Sequence, residues 1–240
     1  MNIVIHRGTH QIGGSAIEIS TASTRIILDF GNELSLDEKY IPINLDIDGV
    51  TKGIPDCDGI VISHYHMDHL GQLTAALPEI PLYMGMLSKE VAIISAEYQD
   101  KDLYLRLLGA NTFRGGEAFT IGDIRIRPLV IDHSAADSYM FVIEAEGKRV
   151  LYTGDFRMHG LRSHIVEKLV KTYIGEVDVL ITEGTSLSSD ADNYISEAAV
   201  LDDISSYIQD GKYVFIMCSS TNIDRIMGIW QNMPTDKVLI

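Results

Sequence analysis

Three imidazoles and a carboxylate stand within six consecutive positions in His64-Tyr65-His66-Met67-Asp68-His69. Imidazole nitrogen and carboxylate oxygen suit Zn²⁺, and also Mn²⁺ or Fe²⁺. The competing reading is a surface loop that happens to be rich in histidine. With eight histidines in 240 residues a chance HxHxDH is rare, so the metal reading is preferred. Two further donors end apolar runs downstream, His133 in VIDHS and Asp155 in YTGD. Alone, each reads as an ordinary turn former at a strand exit. Beside the cluster they change meaning, because a metal site needs four or more donors, here drawn from separate elements.

The elements that must carry these donors can be read from hydrophobic period. The apolar run 59–63 empties directly into the cluster. At strand spacing His64 and His66 point the same way. Asp68 and His69 then open a helix expected over 68–77, where Leu70, Leu73, Ala76 and Leu77 recur at helical spacing. Strands are expected at 2–6, 15–20, 24–30, 118–121, 123–131, 138–144, 148–153 and 178–182, with a hairpin turn at 145–147. Helices are expected at 88–108, capped by Ser88 and stopped by Gly109, and at 161–173. From Tyr194 the texture changes to helix, strand 213–217, helix 222–231 and strand 237–240, a unit that implies a parallel sheet. A chain ending on that last apolar run reads as a fragment of a longer protein.

Composition narrows the class. Lys plus Arg number 19 and Asp plus Glu 34, for a net charge of −15. At 46% hydrophobic and 22% charged residues the chain is globular rather than disordered. The acidity argues against a sequence-independent nucleic-acid coat, which needs Lys and Arg to neutralise phosphate. It does not exclude a nuclease, since bound divalent cations can invert the local sign. No apolar run approaches membrane-spanning length and the first ten residues do not read as a signal peptide. Two cysteines, Cys57 and Cys218, are too few for a disulfide framework, and a cytoplasmic location is expected. No Walker loop, GxSxG elbow or GxGxxG is present.

Asp29 after a strand, HYHMDHLG (64–71), HSAADS (133–138), YTGDFR (152–157) and LITEGT (180–185) together resemble the metallo-β-lactamase superfamily. The resemblance is nearest to its β-CASP nucleases, the group containing ribonuclease J and the pre-mRNA 3′-end processing endonuclease. It implies an α/β fold, a metallo-β-lactamase-like αββα sandwich over 1–192, followed over 193–240 by the start of a parallel α/β cap domain. In this family the chain returns from the cap to complete the first domain, and that return is expected to lie beyond residue 240.

The resemblance also implies roles. His64, His66 and His133 would hold one divalent metal, Asp68 and His69 a second, and Asp155 would bridge them. Two such ions, Zn²⁺ first with Mn²⁺ or Fe²⁺ open, lie about 3.5–4 Å apart, generate hydroxide at neutral pH and clamp a phosphodiester for in-line attack. Asp68 would also accept the proton of the attacking water. Asp29 would fix the metal loop by hydrogen bonds without touching metal, against the plainer reading of a turn residue. Glu183, in the acidic motif of the branch, would orient a histidine supplied by the return, which also brings the last ligand. The second metal is therefore expected to bind more weakly. Arg157 could meet a phosphate with its forked donors or pair with a carboxylate, and Ser134 and Ser138 could bond the metal loop or a phosphate. His6, His10, His159 and His164 are expected to be exposed, and the acidic run 190–192 to be a solvated linker.

The activity implied is hydrolysis of nucleic-acid phosphodiesters, RNA first. The alternatives are a small-ester, lactone or thioester hydrolase using the same centre, and a non-catalytic binding relative. Di-iron oxidases of the superfamily carry Glu where this chain has His66, which favours hydrolysis over redox chemistry.

Overall fold

The computed structural model describes residues 1–34, 43–187 and 194–239. Two sheets stack face to face with helices on their outer faces. The first has strand order β1 (Asn2–Arg7), β2 (Ala16–Ser20), β3 (Arg25–Leu28), β4 (Gly59–Val61), β5 (Leu82–Gly85) and β6 (Asn111–Phe113). Its β1–β3 part is antiparallel and its β3–β6 part parallel. The second sheet runs β11 (Val179–Ile181), β10 (Lys148–Tyr152), β9 (Tyr139–Ala145), β8 (Ile124–Val130) and β7 (Phe119–Ile121). Only its β10–β11 pair is parallel.

Strand alternation builds three apolar layers. Ile26, Leu28 and Val61 face inward to meet Tyr139, Phe141 and Ile143 of the second sheet. The intervening Ile27, Ile60 and Ile62 face outward onto α2 (Met86–Glu97) and α3 (Lys101–Leu108), against Ala92, Ala96, Leu103 and Leu107. On the far side Met140, Val142 and Leu151 pack against Val166 and Leu169 of α4 (Ser163–Leu169). This period-two division of one strand between two cores is what makes an αββα sandwich.

Several expected elements differ. The helix expected over 68–77 is a single turn, α1 (Met67–Leu70). Its carbonyls are taken by other segments: Asn32 N–H donates to Met67, Gly14 and Ser15 N–H to Asp68, and Phe30 N–H to His69. Those bonds compete with the continuing helical ladder. The helix expected over 88–108 is two, because the Asp100 side chain accepts from the N–H groups of Asp102 and Leu103 and starts α3 anew. Ser88 is accordingly buried inside α2 rather than at its cap. Helix 161–173 becomes α4 followed by a π-helical turn, Val170–Ile174. The short strands β5 and β6 carried no sequence signal strong enough to expect.

In the tail, α5 (Glu197–Asp210) and α6 (Ile223–Gln231) form and meet through Leu201, Ile208 and Ile229. The parallel strands expected beside them do not. Residues 213–217 and 237–239 are not strands, and Phe215 and Met217 are 97% and 100% exposed. A β-branched run becomes a strand only when a neighbour completes its ladder. The acidic run 190–192, the boundary expected at 192/193 and the last residue of the final expected strand lie outside the described residues.

Candidate metal centre

The cluster sits at the seam of the two sheets. Ser63 follows β4, and its carbonyl accepts from Tyr139 N–H of the second sheet (3.0 Å). The chain therefore leaves the strand at His64 between both layers. Gly154, with φ 53°, turns Asp155 out of β10 in a conformation that favours glycine, where a Cβ would lie 3.1 Å from the Ser63 Cβ. Gly31 allows a closer approach still: a Cβ there would fall 1.6 Å from the Asp68 carbonyl oxygen.

Six expected donors converge. His66 Nδ1 lies 3.1 Å from His64 Nε2 and 3.2 Å from His133 Nε2. His69 Nε2 lies 3.2 Å from Asp155 Oδ1 and 3.7 Å from Asp68 Oδ2, while Asp155 Oδ2 is 4.0 Å from His133 Nε2. Two groups each have their ligand atoms within 4.8 Å of one another: His64, His66 and His133, and His64, His69 and Asp155. His64 thus faces both groups, and Asp155 presents one oxygen toward each side. Asp68 stands slightly outside these groups.

Electrostatics favour cation binding at the first group. Burial, with neighbouring imidazoles adding to it, holds His64 well below its usual value. The same causes bring His66 to about 4, and burial chiefly brings His133 to about 3. All three are neutral at pH 7, so each ring keeps a nitrogen lone pair that a divalent cation can take. Burial opposes charge on His69, but Asp29 and Asp155 on either side of its ring push it well above the usual value. Burial raises Asp68, whereas His69 outweighs burial at Asp155 and holds that carboxyl low.

Asp29 is fully buried and organises the ring positions. Its Oδ1 accepts from Ser63 N–H (2.6 Å), and its Oδ2 from Ser63 Oγ (2.8 Å), His69 Nδ1 (2.8 Å) and Tyr152 O–H (2.5 Å). Ser63 Oγ in turn lies 3.0 Å from His64 Nδ1. Neither Ser63 nor Tyr152 stood out in the sequence. The only local signals were their places at strand exits, Tyr152 three residues before Asp155.

Arg157 is not a free phosphate fork. Its Nε lies 3.2 Å from Asp132 Oδ1, its Nη1 3.7 Å from Glu197 Oε1, and its N–H donates to the Asp132 carbonyl. Asp132 is fully buried and went unnoticed in the sequence beside His133. The Glu183 carboxylate accepts from Phe156 N–H (2.9 Å) and Thr185 N–H (3.3 Å). Ser138 Oγ donates to Ala135 O, and Ser134 is half-buried beside His133. His10 and His164 are exposed. His6 pairs with Glu18 (2.9 Å), and His159 stacks on Tyr194, so neither is simply solvated. A groove of about 750 Å³ opens at the centre, lined by Asp68, His69 and Asp155 and also by His10, Gln11 and Glu183.

Comparison with known proteins agrees with this architecture. The model of the beta-lactamase superfamily domain matches residues 34–203, more than half of the chain. An RNase J-like protein of Methanocaldococcus jannaschii is 27% identical over 223 residues, covering 88% of this chain and 49% of the relative. Endoribonuclease YSH1 of Gibberella zeae is 27% identical over 232 residues, covering 87% of this chain and 27% of the relative. The chain thus spans about half or less of the length of these relatives. A crystal structure of a protein of unknown function from Enterococcus faecalis superposes with a TM-score of 0.82 at 20% identity, over 97% of this chain and 63% of that one. That likeness concerns the fold.

Proposed function

The chain belongs to the beta-lactamase superfamily, and from that premise we propose that it is the hydrolytic part of a metal-dependent ribonuclease of the β-CASP branch. The observation that carries the reading is the convergence of three neutral imidazoles, buried His64 and half-buried His66 and His133, beside Asp155. The nuclease names of the relatives support RNA as substrate. His64, His66 and His133 would hold one divalent cation, and His69 and Asp155, with Asp68 close by, a second. Nitrogen-rich donors favour Zn²⁺. Bound there, such cations supply Lewis acidity and bring water toward ionisation at neutral pH.

The chain's own groups do the rest. His69 donates its Nδ1 proton to Asp29 in a hydrogen bond, so that a cation replacing its second proton would meet the lone pair of Nε2, the atom facing Asp155. Ser63 donates to Asp29 and accepts from His64 Nδ1, which leaves His64 Nε2 as the inward donor. Asp68, its affinity for protons raised by burial, faces the groove and takes the proton lost by the attacking water at Oδ2. Glu183 and Arg157 tie the Asp155 loop to its neighbours.

The same proposal makes residues 193–240 the opening of a separate cap domain. It also places the protein in the cytoplasm, for which the two free cysteines offer support. No helix among the described residues is long and apolar enough to cross a membrane. The test is cleavage of single-stranded RNA by the chain with Zn²⁺ or Mn²⁺, against a His64→Ala, His66→Ala double variant. Metal-dependent cleavage lost in the variant is expected. Turnover of a lactone or thioester but not RNA would favour a small-molecule hydrolase, and metal bound without turnover of either would favour a non-catalytic relative.

A further inference from the structure

Beside the groove over the metal centre lies a second pocket of about 470 Å³. The two share Glu183, Gly184, Thr185 and Leu187 as a common wall. The rest of the second pocket is the run Phe156 to His159, which follows Asp155 directly, together with Ser186 and Tyr194. The His159 and Tyr194 rings stack with centroids 4.9 Å apart and planes 16° from parallel. Neither ring has a part in the chemistry above.

The pocket is built on fixed backbone. The Glu183 carboxylate bonds to Phe156 N–H and Thr185 N–H and so joins two of its walls. The His159 carbonyl accepts from Glu197 N–H (2.9 Å) at the start of α5. Arg157, the one cationic side chain in the lining, is engaged by Asp132 and Glu197. Ionic recognition of a phosphate is therefore poorly served there. Near-parallel rings of a histidine and a half-exposed tyrosine, reached along a wall shared with the metal groove, fit the π-face of a nucleobase instead.

We propose that this pocket is a base-stacking subsite in which a base of single-stranded RNA, adjacent to the phosphodiester held at the metal centre, extends the His159–Tyr194 stack. The inference rests on the nuclease reading and adds to it a means of holding the strand. Stacking tolerates any base, since every base has a π-face, so the subsite positions the chain without selecting sequence.

The test measures binding of a short fluorescent single-stranded RNA by anisotropy, alongside cleavage, for the Zn²⁺-supplemented protein. Tyr194→Ala and His159→Ala are expected to weaken binding about tenfold, within the range for loss of one aromatic–base stack, with metal content and melting temperature unchanged. Tyr194→Phe, which keeps the ring, restores the affinity. An abasic nucleotide beside the cleavage site weakens wild-type binding to the same extent and weakens Tyr194→Ala no further. If wild type binds and cleaves RNA but Tyr194→Ala and His159→Ala leave affinity and the abasic penalty intact, the subsite is wrong and the nuclease reading stands. If wild type neither binds nor cleaves RNA, both fall.

Discussion

Asp29 Oδ2 accepts the Nδ1 proton of His69 at 2.8 Å across 40 residues of chain, with neither side chain more than 1% exposed. A buried carboxylate behind an imidazole fixes which ring nitrogen faces outward, and through Ser63 the same carboxylate sets His64. Asp29→Asn replaces an acceptor oxygen with a donor and sets the amide against one of its present N–H or O–H partners. Metal affinity is expected to fall by about 10–100-fold, read by competition with a chromophoric chelator. Unchanged affinity would remove Asp29 from any role in orienting the donors.

Tyr152→Phe tests the same carboxylate from the other sheet. The change leaves Asp29 Oδ2 without one of its three donors in a fully buried site. An expected loss of about 1–3 kcal/mol is measured by urea denaturation, with the slope of the transition unaltered. A variant as stable as wild type would mean that the Tyr152 hydroxyl contributes nothing net.

Arg157 distinguishes a structural ion pair from a substrate contact. If it holds Asp132, Arg157→Ala strands a fully buried carboxylate and costs roughly 3–5 kcal/mol. Asp132→Ala added to Arg157→Ala then recovers part of the loss, a non-additivity that a double-mutant cycle reads. Wild-type stability in Arg157→Ala, with weakened RNA binding alone, would instead restore the phosphate-fork reading.

Glu18 supplies a pH dependence remote from the metal groups. Burial alone would raise its carboxyl, but hydrogen bonds and charge from Arg25 and His6 outweigh burial and hold it below its ordinary 4.5. The unfolded chain therefore binds the proton more readily, and stability rises with pH across this window. The contribution is fully present above 4.5 and is lost as pH falls through the lower folded value. Glu18→Gln is expected to flatten the acid limb of stability against pH, and an unchanged limb would contradict the pairing.

The sequence by itself determined the candidate donors and the inner layers. Three histidines and Asp68 within six positions, and short apolar runs in β3, β8, β9 and β10, are local signals that need no distant partner to be read. Tertiary structure decided what those signals became. The apolar spacing of 68–77 promised a helix, yet α1 ends after one turn because Gly14, Ser15, Phe30 and Asn32 take its carbonyls. The run 213–217 has strand composition but no strand, since the β ladder requires a second chain segment alongside it. Asp132, Ser63 and Tyr152 were silent because a buried polar residue is informative only through its partners, and those partners come from other strands. Covalent order brings His64, His66 and His69 near one another, whereas the placement of Asp29, His133 and Asp155 around them depends on two sheets packing at one seam.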